Sequence, residues 1–289
     1  MAKLSLTFHA GGPIVTGPPS GHNWRGSKGD YNDHAEDPGL FRRQDHCHHR
    51  RRKRHRTCHA LIFAREGANV VCADINEASA RRTAAAVNAK GSQALALKVD
   101  VTSRAEVDAL IARAIAAFGS VQFLFNSAGA AIRRAKFLDI DDALMQKTFA
   151  LNVNGTFYAM QAVLPHMLAN RHGVIVNMAS MAHRRGSPGS SIHYAAAKGA
   201  VVTMTMGVAR EFATQGVRAI SISPGPIRTP FQDAAQSSPE LVKQFLDDVP
   251  MKRFGEPEEI GELVLFICSD ACPFMTADTI YVNGGGGWR

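Results

Sequence analysis

From Ala60 onward the chain alternates short apolar runs with segments of helical length, and this alternation limits the fold more than any other feature. The apolar runs are continuous rather than alternating, which is typical of strands buried on both faces. They occupy 69–73, 94–99, 121–125, 174–178, 218–223 and 279–282. Parallel strands need long crossover connections, and helices supply them. The sequence therefore predicts an α/β domain with a doubly wound, mostly parallel sheet.

The helical patterns lie between these strands, at 60–66, 77–90, 104–118, 141–170, 194–215 and 257–268. In open sheets of this kind, ligands bind beyond the carboxyl ends of the strands. The residues that directly follow the apolar runs are Asp74, Asp100, Asn126, Ser180 and Pro224-Gly225. We therefore expect the binding and catalytic groups at these positions.

The first 59 residues are different in kind from residues 60–289, which we predict to be one catalytic domain. They are rich in Gly, Pro, His and Arg and show no sustained apolar periodicity. The stretch 42–56 carries eight of the chain's basic side chains against Asp45, which accounts for nearly all of the formal charge of +8. One interpretation is a nucleic-acid-binding or nuclear-import module. The stretch lacks the interleaved aromatic residues of a base-stacking surface, which disfavours nucleic acid as a partner.

Composition excludes several other classes. No run approaches the ~20 apolar residues that span a bilayer, and the N-terminus does not resemble a secretory signal. The five cysteines are scattered and odd in number, so we expect no disulfide framework and a cytoplasmic protein. Cys47-His48-His49 and Cys58-His59 match no common zinc-site spacing, so we predict no metal.

Tyr194 and Lys198 form the first chemical motif. Four residues apart on a helix, they lie on one face, and an ammonium beside a phenol favours the phenolate. Alone such a pair is weak evidence, but it stands within an ordered set of strand-end motifs. The other members are Asn126-Ser127-Ala128-Gly129, Asn152-Val153-Asn154-Gly155, Asn177-Met178-Ala179-Ser180, Ser223 to Thr229 and Arg253 to Glu259. In this order and placement the chain resembles the short-chain dehydrogenase/reductase family from about residue 60 to 285.

The resemblance implies a Rossmann-like fold and hydride transfer between NAD(P) and a secondary alcohol or ketone. Tyr194 would exchange a proton with the substrate oxygen, and Ser180 would hold that oxygen. Lys198 would lower the pKa of the phenol and bind the nicotinamide ribose, and Asn152 would anchor a water in the proton relay. It also implies a homodimer or homotetramer formed through 152–170 and 194–215.

Cofactor contacts follow from the same resemblance. A carboxylate at Asp74 accepts hydrogen bonds from ribose hydroxyls and repels a 2′-phosphate, which favours NAD over NADP. The other implied contacts are Asp100 and Val101 at the adenine, Asn126, Ala128 and Gly129 on the adenosine side, Tyr194 and Lys198 at the nicotinamide ribose, and Ile227 and Thr229 at the nicotinamide carboxamide. The resemblance further implies that residues 229–250 form a substrate lid.

Three positions depart from the family pattern. The interval from Ser180 to Tyr194 is one residue longer than usual, and an extra residue is easily absorbed in a loop that contains Gly186 and Gly189. Asn283 stands where the family usually has Asp, and Ala277 where it usually has Gly.

The largest departure is the missing glycine-rich turn, which should precede Ala60 and bind the pyrophosphate. No glycine occurs between Gly39 and Gly67. Codons permitted for residues 44–59, read one nucleotide later, encode KTIVITGGGSGIGRAT, an apolar strand followed by such a turn. We therefore hypothesise that the segment up to about residue 59 is translated out of frame. One alternative is that the chain is catalytically inactive. Another is that the glycine turn is the segment Ile14 to Gly21, here called the decoy turn, although it lies far from the first helix.

Overall fold

The computed structural model describes residues 57–229 and 246–287, together with Glu240 and Lys243. Its strands are β1 (Val70–Asp74), β2 (Ala94–Lys98), β3 (Phe123–Asn126), β4 (Gly173–Met178), β5 (Val217–Pro224) and β6 (Thr279–Val282). Every described strand pairing is parallel: β1 pairs with β2, and the other four follow the order β3-β4-β5-β6. The prediction of a mostly parallel sheet is confirmed.

The described helices are α1 (Thr57–Arg65), α2 (Glu77–Asn88), α3 (Arg104–Phe118), α4 (Asp142–Phe149), α5 (Gly155–Ala169), α6 (Ala182–Arg185), α7 (Ile192–Phe212) and α8 (Pro257–Cys268). Local sequence sets several of their ends. The side chains of Asn76, Ser103 and Asp141 accept backbone N–H groups at the starts of α2, α3 and α4. Gly119 ends α3 in the left-handed conformation at φ +76°.

Helices cover both faces of the sheet, as a doubly wound fold requires. One core packs α3, α5 and α7 against residues such as Leu124 and Ile175 of the sheet. The other core packs α1, α2 and α8 against the alternate residues of the same strands, such as Phe123 and Val176. Successive strand residues point to opposite faces, so continuous apolar runs are needed to fill both cores.

The described sheet consists of two blocks that share these cores. Val71 of β1 and Leu124 of β3 lie in one core, and Cys72 and Phe125 lie in the other, although no described pairing joins β1 to β3. The chain segment that enters α1 from the N-terminal side lies outside the described residues. So do the basic stretch 42–56, the decoy turn, the Cys47 group and most of the predicted lid.

The helical region predicted over 141–170 is present, and it is not one continuous α-helix. A π-helical turn at Ala150–Asn154 separates α4 from α5. The Asn152 side chain donates to Thr148 O at 2.8 Å and to Ala130 O at 2.9 Å, so it is directed towards the loop that follows β3. A widened turn at such a point is typical of functional sites.

The structure also bears on membrane-spanning helices and metal sites. No described helix has the length and apolar character needed to cross a membrane. Within the described ranges, no group of three or more His, Cys, Asp or Glu side chains is placed to hold a metal ion.

Candidate active site

Tyr194 and Lys198 lie one turn apart on α7, where the helix crosses the carboxyl edge of the sheet. The Lys198 ammonium is 5.7 Å from the centroid of the Tyr194 ring and donates to Met178 O at 2.6 Å. Both side chains are buried, with 8% of Tyr194 and 2% of Lys198 exposed. The hydrogen bond to Met178 ties α7 to the end of β4, two residues before Ser180.

Ser180 completes the predicted group. Its Oγ accepts the Ala182 N–H at 3.2 Å, and its hydroxyl is hydrogen-bonded to the Tyr194 side chain. The longer interval between the two residues is taken up by the short helix α6 and by Gly186 and Gly189, both at positive φ. The extra residue therefore leaves the contact between Ser180 and Tyr194 intact.

Burial controls the ionisation of this pair. It raises the pKa of Tyr194 to about 12, against the opposing hydrogen bond from Ser180, and it lowers the pKa of Lys198 to about 7. The sequence predicted a lowered phenol pKa, and the structure differs. The reason is that desolvation disfavours the charged form of both groups, so that Lys198 loses much of the charge that would stabilise a phenolate.

Asn152 and Lys198 converge on Gly129. A Cβ at residue 129 would lie 2.6 Å from Asn152 Oδ1 and 2.9 Å from Lys198 Nζ, so only glycine leaves room for both side chains. Asn152 is fully buried, and its Oδ1 accepts the Ala130 N–H at 3.2 Å. Asn152 and Lys198 therefore meet beside Gly129, and Tyr194 adjoins both Lys198 and Ser180.

The predicted adenosine-side residues line the ends of β1 and β2. Asp74 is 4% exposed, and its carboxylate accepts the Asn76 N–H at 2.8 Å. Asp100 is half-buried and accepts both the N–H and the hydroxyl of Thr102, at 2.9 and 2.8 Å. Val101 is buried against α5, where a Cβ at Gly155 would lie 3.0 Å from its side chain.

Asn126 belongs to a series of buried, hydrogen-bonded side chains that was not predicted from the sequence. Its Nδ2 donates to Asn177 Oδ1 at 2.8 Å, and Asn177 Nδ2 donates to Thr205 Oγ1 at 2.8 Å. These hydrogen bonds link β3, β4 and α7 beneath the site. An asparagine inside the apolar run of β4 was the available signal. Ala128, two residues after Asn126, is buried at the strand end.

Ile227 and Thr229 lie in the loop that follows β5. Arg228 N donates to Gly255 O at 2.9 Å and Gly255 N donates to Pro226 O at 3.0 Å, which fixes this loop against the segment before α8. Thr229 is half-buried and is the last described residue before the gap.

The two remaining departures from the family pattern have structural consequences. Asn283 closes the turn after β6, since its Oδ1 accepts the Gly285 N–H at 3.1 Å and its Nδ2 donates to Gly286 O. Ala277 adopts φ +60°, a left-handed conformation that glycine adopts without strain.

Comparison with known proteins gives consistent matches. A family model described as enoyl-(acyl carrier protein) reductase matches residues 57–286. The 2-keto-3-deoxy-L-fuconate dehydrogenase of Xanthomonas campestris pv. campestris is 37% identical over 232 residues, covering 78% of this chain and 74% of that protein. The 3-oxoacyl-[acyl-carrier-protein] reductase FabG of Staphylococcus epidermidis is 36% identical over 234 residues, covering 78% and 91%. The crystal structure of NAD+-bound xylitol dehydrogenase superposes with a TM-score of 0.75 at 31% identity, covering 80% of this chain and 94% of that one.

Proposed function

This chain belongs to the short-chain dehydrogenase/reductase family, and we propose that it is an NAD(P)-dependent oxidoreductase that interconverts a secondary alcohol and a ketone at Tyr194. The observation that carries the proposal is the meeting of a buried phenol, a buried ammonium and a serine hydroxyl at the carboxyl edge of a parallel sheet. Such a group suits proton exchange with an oxygen atom while a nicotinamide carries the hydride.

Each residue has a defined part in this reaction. In the reductive direction the Tyr194 hydroxyl donates its proton to the carbonyl oxygen as that oxygen gains negative charge. Ser180 donates a hydrogen bond to the same oxygen and so orients it towards the phenol. Lys198 is held by Met178 O at 2.6 Å, and only its protonated form stabilises the phenolate left behind. In the oxidative direction the phenolate accepts the alcohol proton.

The part of Asn152 is to position neighbouring groups. Its amide fixes the loop after β3 to the π-helical turn and lies beside Lys198 at Gly129. We propose that it holds a water through which Lys198 exchanges protons with solvent. A buried ammonium with a pKa near 7 exchanges protons readily at neutral pH, which suits a relay.

The residues present suit the nicotinamide and adenosine ribose parts of the cofactor. Lys198 is a buried donor beside Tyr194, and Asp74 is a buried acceptor at the end of β1. When bound, the nicotinamide ring supplies or accepts the hydride. Asp74 supports NAD over NADP, because a buried carboxylate accepts ribose hydroxyls and repels a 2′-phosphate. The structure of the xylitol dehydrogenase neighbour contains NAD+, which is one support for this proposal.

The residues before α1 do not suit the pyrophosphate of the cofactor. This favours a second candidate, a catalytically inactive chain. The segment before α1 contains arginines in place of glycines, and a Cβ obstructs the close backbone approach to phosphate that glycine allows. We propose that this segment is read out of frame and that the sequence KTIVITGGGSGIGRAT at 44–59 restores cofactor binding. A nucleic-acid module remains the weaker alternative.

We further propose a cytoplasmic homodimer or homotetramer that takes a small alcohol or ketone. Helix α5 presents Phe157, 40% exposed, and Arg104 lies over the Tyr158 ring at 4.5 Å, which gives this region an apolar and aromatic surface suited to a second copy.

The test uses the chain with KTIVITGGGSGIGRAT at 44–59, called the glycine variant, and a panel of ketones with NADH. Tyr194→Phe in this background is expected to lower the rate of NADH oxidation by about 10²–10⁴-fold while NADH still binds. Tyr158→Phe is the control, because it removes a phenol hydroxyl away from the site and keeps the ring over which Arg104 lies. Retention of full activity by Tyr194→Phe would contradict the proposal.

A further inference from the structure

His183 lies three residues after Ser180 and has no part in the reaction described above. It belongs to the short helix α6, and its Nδ1 lies 2.6 Å from Ser180 O. A carbonyl oxygen can only accept, so Nδ1 carries the ring proton and donates the hydrogen bond. In the neutral ring Nε2 is then the acceptor, and it faces the Tyr281 hydroxyl at 3.5 Å. Both contacts suit the tautomer of His183 that is protonated on Nδ1.

The His183 ring is half-buried and is held by three other elements. It stacks on the Tyr281 ring of β6, with the centroids 6.0 Å apart and 20° between the planes. Ser223 of β5 is buried beside it, with its Oγ 3.5 Å from Nδ1. On α7, a Cβ at Gly199 would lie 4.0 Å from the His183 Cβ. The imidazole is therefore a fixed donor to Ser180 O.

The peptide unit between Ser180 and Met181 is held at both of its polar atoms. Its oxygen accepts the His183 Nδ1 at 2.6 Å and, less closely, the His183 N–H at 3.2 Å. Its N–H belongs to Met181 and donates to Pro224 O of β5 at 3.1 Å. The side chain of His183 thus supplies the shortest of the hydrogen bonds that hold this peptide unit.

Rotation of this peptide unit would change the ψ angle of Ser180 and the direction of its side chain relative to Tyr194. The backbone before Ser180 is already fixed to β5, since the Ala179 N–H donates to Ile222 O at 2.8 Å. The bond from His183 adds the corresponding constraint on the other side of Ser180. A misplacement of about 1 Å in a catalytic group can lower a rate by about 100-fold, so this constraint matters for the reaction.

We propose that His183 is a positioning residue, whose Nδ1 fixes the peptide after Ser180 and thereby holds the Ser180 hydroxyl against Tyr194. This inference rests on the proposed function, because the hydroxyl that it positions is the one that binds the substrate oxygen. It deepens that function by adding a residue that acts through Ser180 and not on the substrate.

Two amide variants separate positioning from packing. The amide nitrogen of Asn is bonded to Cγ, as Nδ1 of histidine is, so His183→Asn can still donate to Ser180 O. The amide nitrogen of Gln lies one atom further from the backbone, so His183→Gln does not donate from the same place. Gln is closer to histidine in volume, so a role in packing alone would favour His183→Gln, whereas positioning favours His183→Asn.

The experiment uses the glycine variant and measures kcat with the ketone of the panel that is reduced fastest, together with the dissociation constant of NADH. His183→Asn, His183→Gln and His183→Leu are each made with Ser180 intact and in the background of Ser180→Ala. The control is His172→Leu, which replaces an exposed histidine directly before β4, at the opposite edge of the sheet.

We expect His183→Leu and His183→Gln to lower kcat by at least ~10-fold and to leave NADH binding within ~2-fold, and His183→Asn to stay within ~3-fold of the parent. In the Ser180→Ala background, His183→Leu should change kcat by less than ~2-fold, because a residue that acts through a hydroxyl has no effect once the hydroxyl is removed. His172→Leu should keep full activity. A kcat that is better kept by Gln than by Asn, or a loss of equal size with and without the Ser180 hydroxyl, would overturn the inference.

A second measurement does not depend on activity. Long-range ¹H–¹⁵N spectra of the full chain and of the glycine variant, labelled at histidine and recorded at alkaline pH, report the tautomer of each neutral ring, and His183→Asn identifies the signal of His183. We expect the proton on Nδ1, and a proton on Nε2 would overturn the inference. If no ketone of the panel is reduced, or if Tyr194→Phe keeps full activity, the proposed function fails, and the tautomer still decides whether His183 holds Ser180.

Discussion

Lys198 Nζ lies 5.7 Å from the centroid of the Tyr194 ring, and burial shifts the pKa of the two groups in opposite directions, Tyr194 upward to about 12 and Lys198 downward to about 7. Each group is thereby pushed towards its neutral form. The site therefore places an ionisable pair where the fold alone disfavours charge, and functional sites are often destabilising in this way.

Replacing Lys198 with Met tests how much stability the protein loses by burying this ammonium. Because the pKa of Lys198 is lowered on folding, its charged form reduces stability at and below pH 7, and the reduction fades as pH rises from about 7 to 10.5, where the unfolded chain also loses the proton. Lys198→Met should raise Tm by roughly 5 °C or more at pH 6 and by much less at pH 10. Calorimetry at both pH values checks this, with the exposed Lys147→Met as the control. An equal change at both pH values would contradict the assignment.

Gly129 is predicted to tolerate no side chain. In Gly129→Ala the new Cβ would press on Asn152 Oδ1 and Lys198 Nζ, so we expect the free energy of unfolding to fall by about 1–3 kcal/mol. Activity in the glycine variant should fall with it. Gly207→Ala on α7 is the matched control, since no atom lies within 4 Å of its Cβ, and it should raise stability by about 0.5–1 kcal/mol. Urea unfolding distinguishes the two, and similar effects would count against the close approach.

His59 gives a prediction about the junction with the N-terminal segment. Its ring is buried on Phe125, its Nε2 has no hydrogen-bond partner in the described structure, and burial lowers its pKa to about 4. A lowered histidine pKa gives stability that is complete above pH 6.5 and is lost as pH falls towards 4, by about 3 kcal/mol.

The shifted reading frame places Thr at position 59, so His59→Thr is the informative variant. Its free energy of unfolding should lack the decrease between pH 6.5 and 4 that the parent chain shows. His172→Thr, which replaces an exposed histidine, should keep the decrease. If His59→Thr keeps it as well, another group is responsible.

The parts that were predictable from sequence are those set by local pattern. The continuous apolar runs gave the six described strands to within two residues, and α3 and α8 begin and end where their patterns do. The positions of Ser180, Asn152, Tyr194 and Lys198 followed from strand ends and helical spacing together with the family resemblance.

The parts that were not predictable depend on packing between distant elements. The π-helical turn contains Asn152, whose side chain is hydrogen-bonded to Ala130, 22 residues away. The direction of the Tyr194 pKa shift depends on burial, which no motif encodes. The same is true of the link from Asn126 through Asn177 to Thr205.

A fluorescence titration of NADH against the full chain and against the glycine variant tests the proposed cofactor site. The glycine variant is expected to bind NADH, and the full chain with its arginines is expected to bind it at least ~10-fold more weakly. The reason is that the described residues supply the ribose and nicotinamide contacts but not the phosphate turn. Equal binding by the two proteins would contradict the reading-frame hypothesis. Absence of binding by the glycine variant would contradict the proposed cofactor site itself.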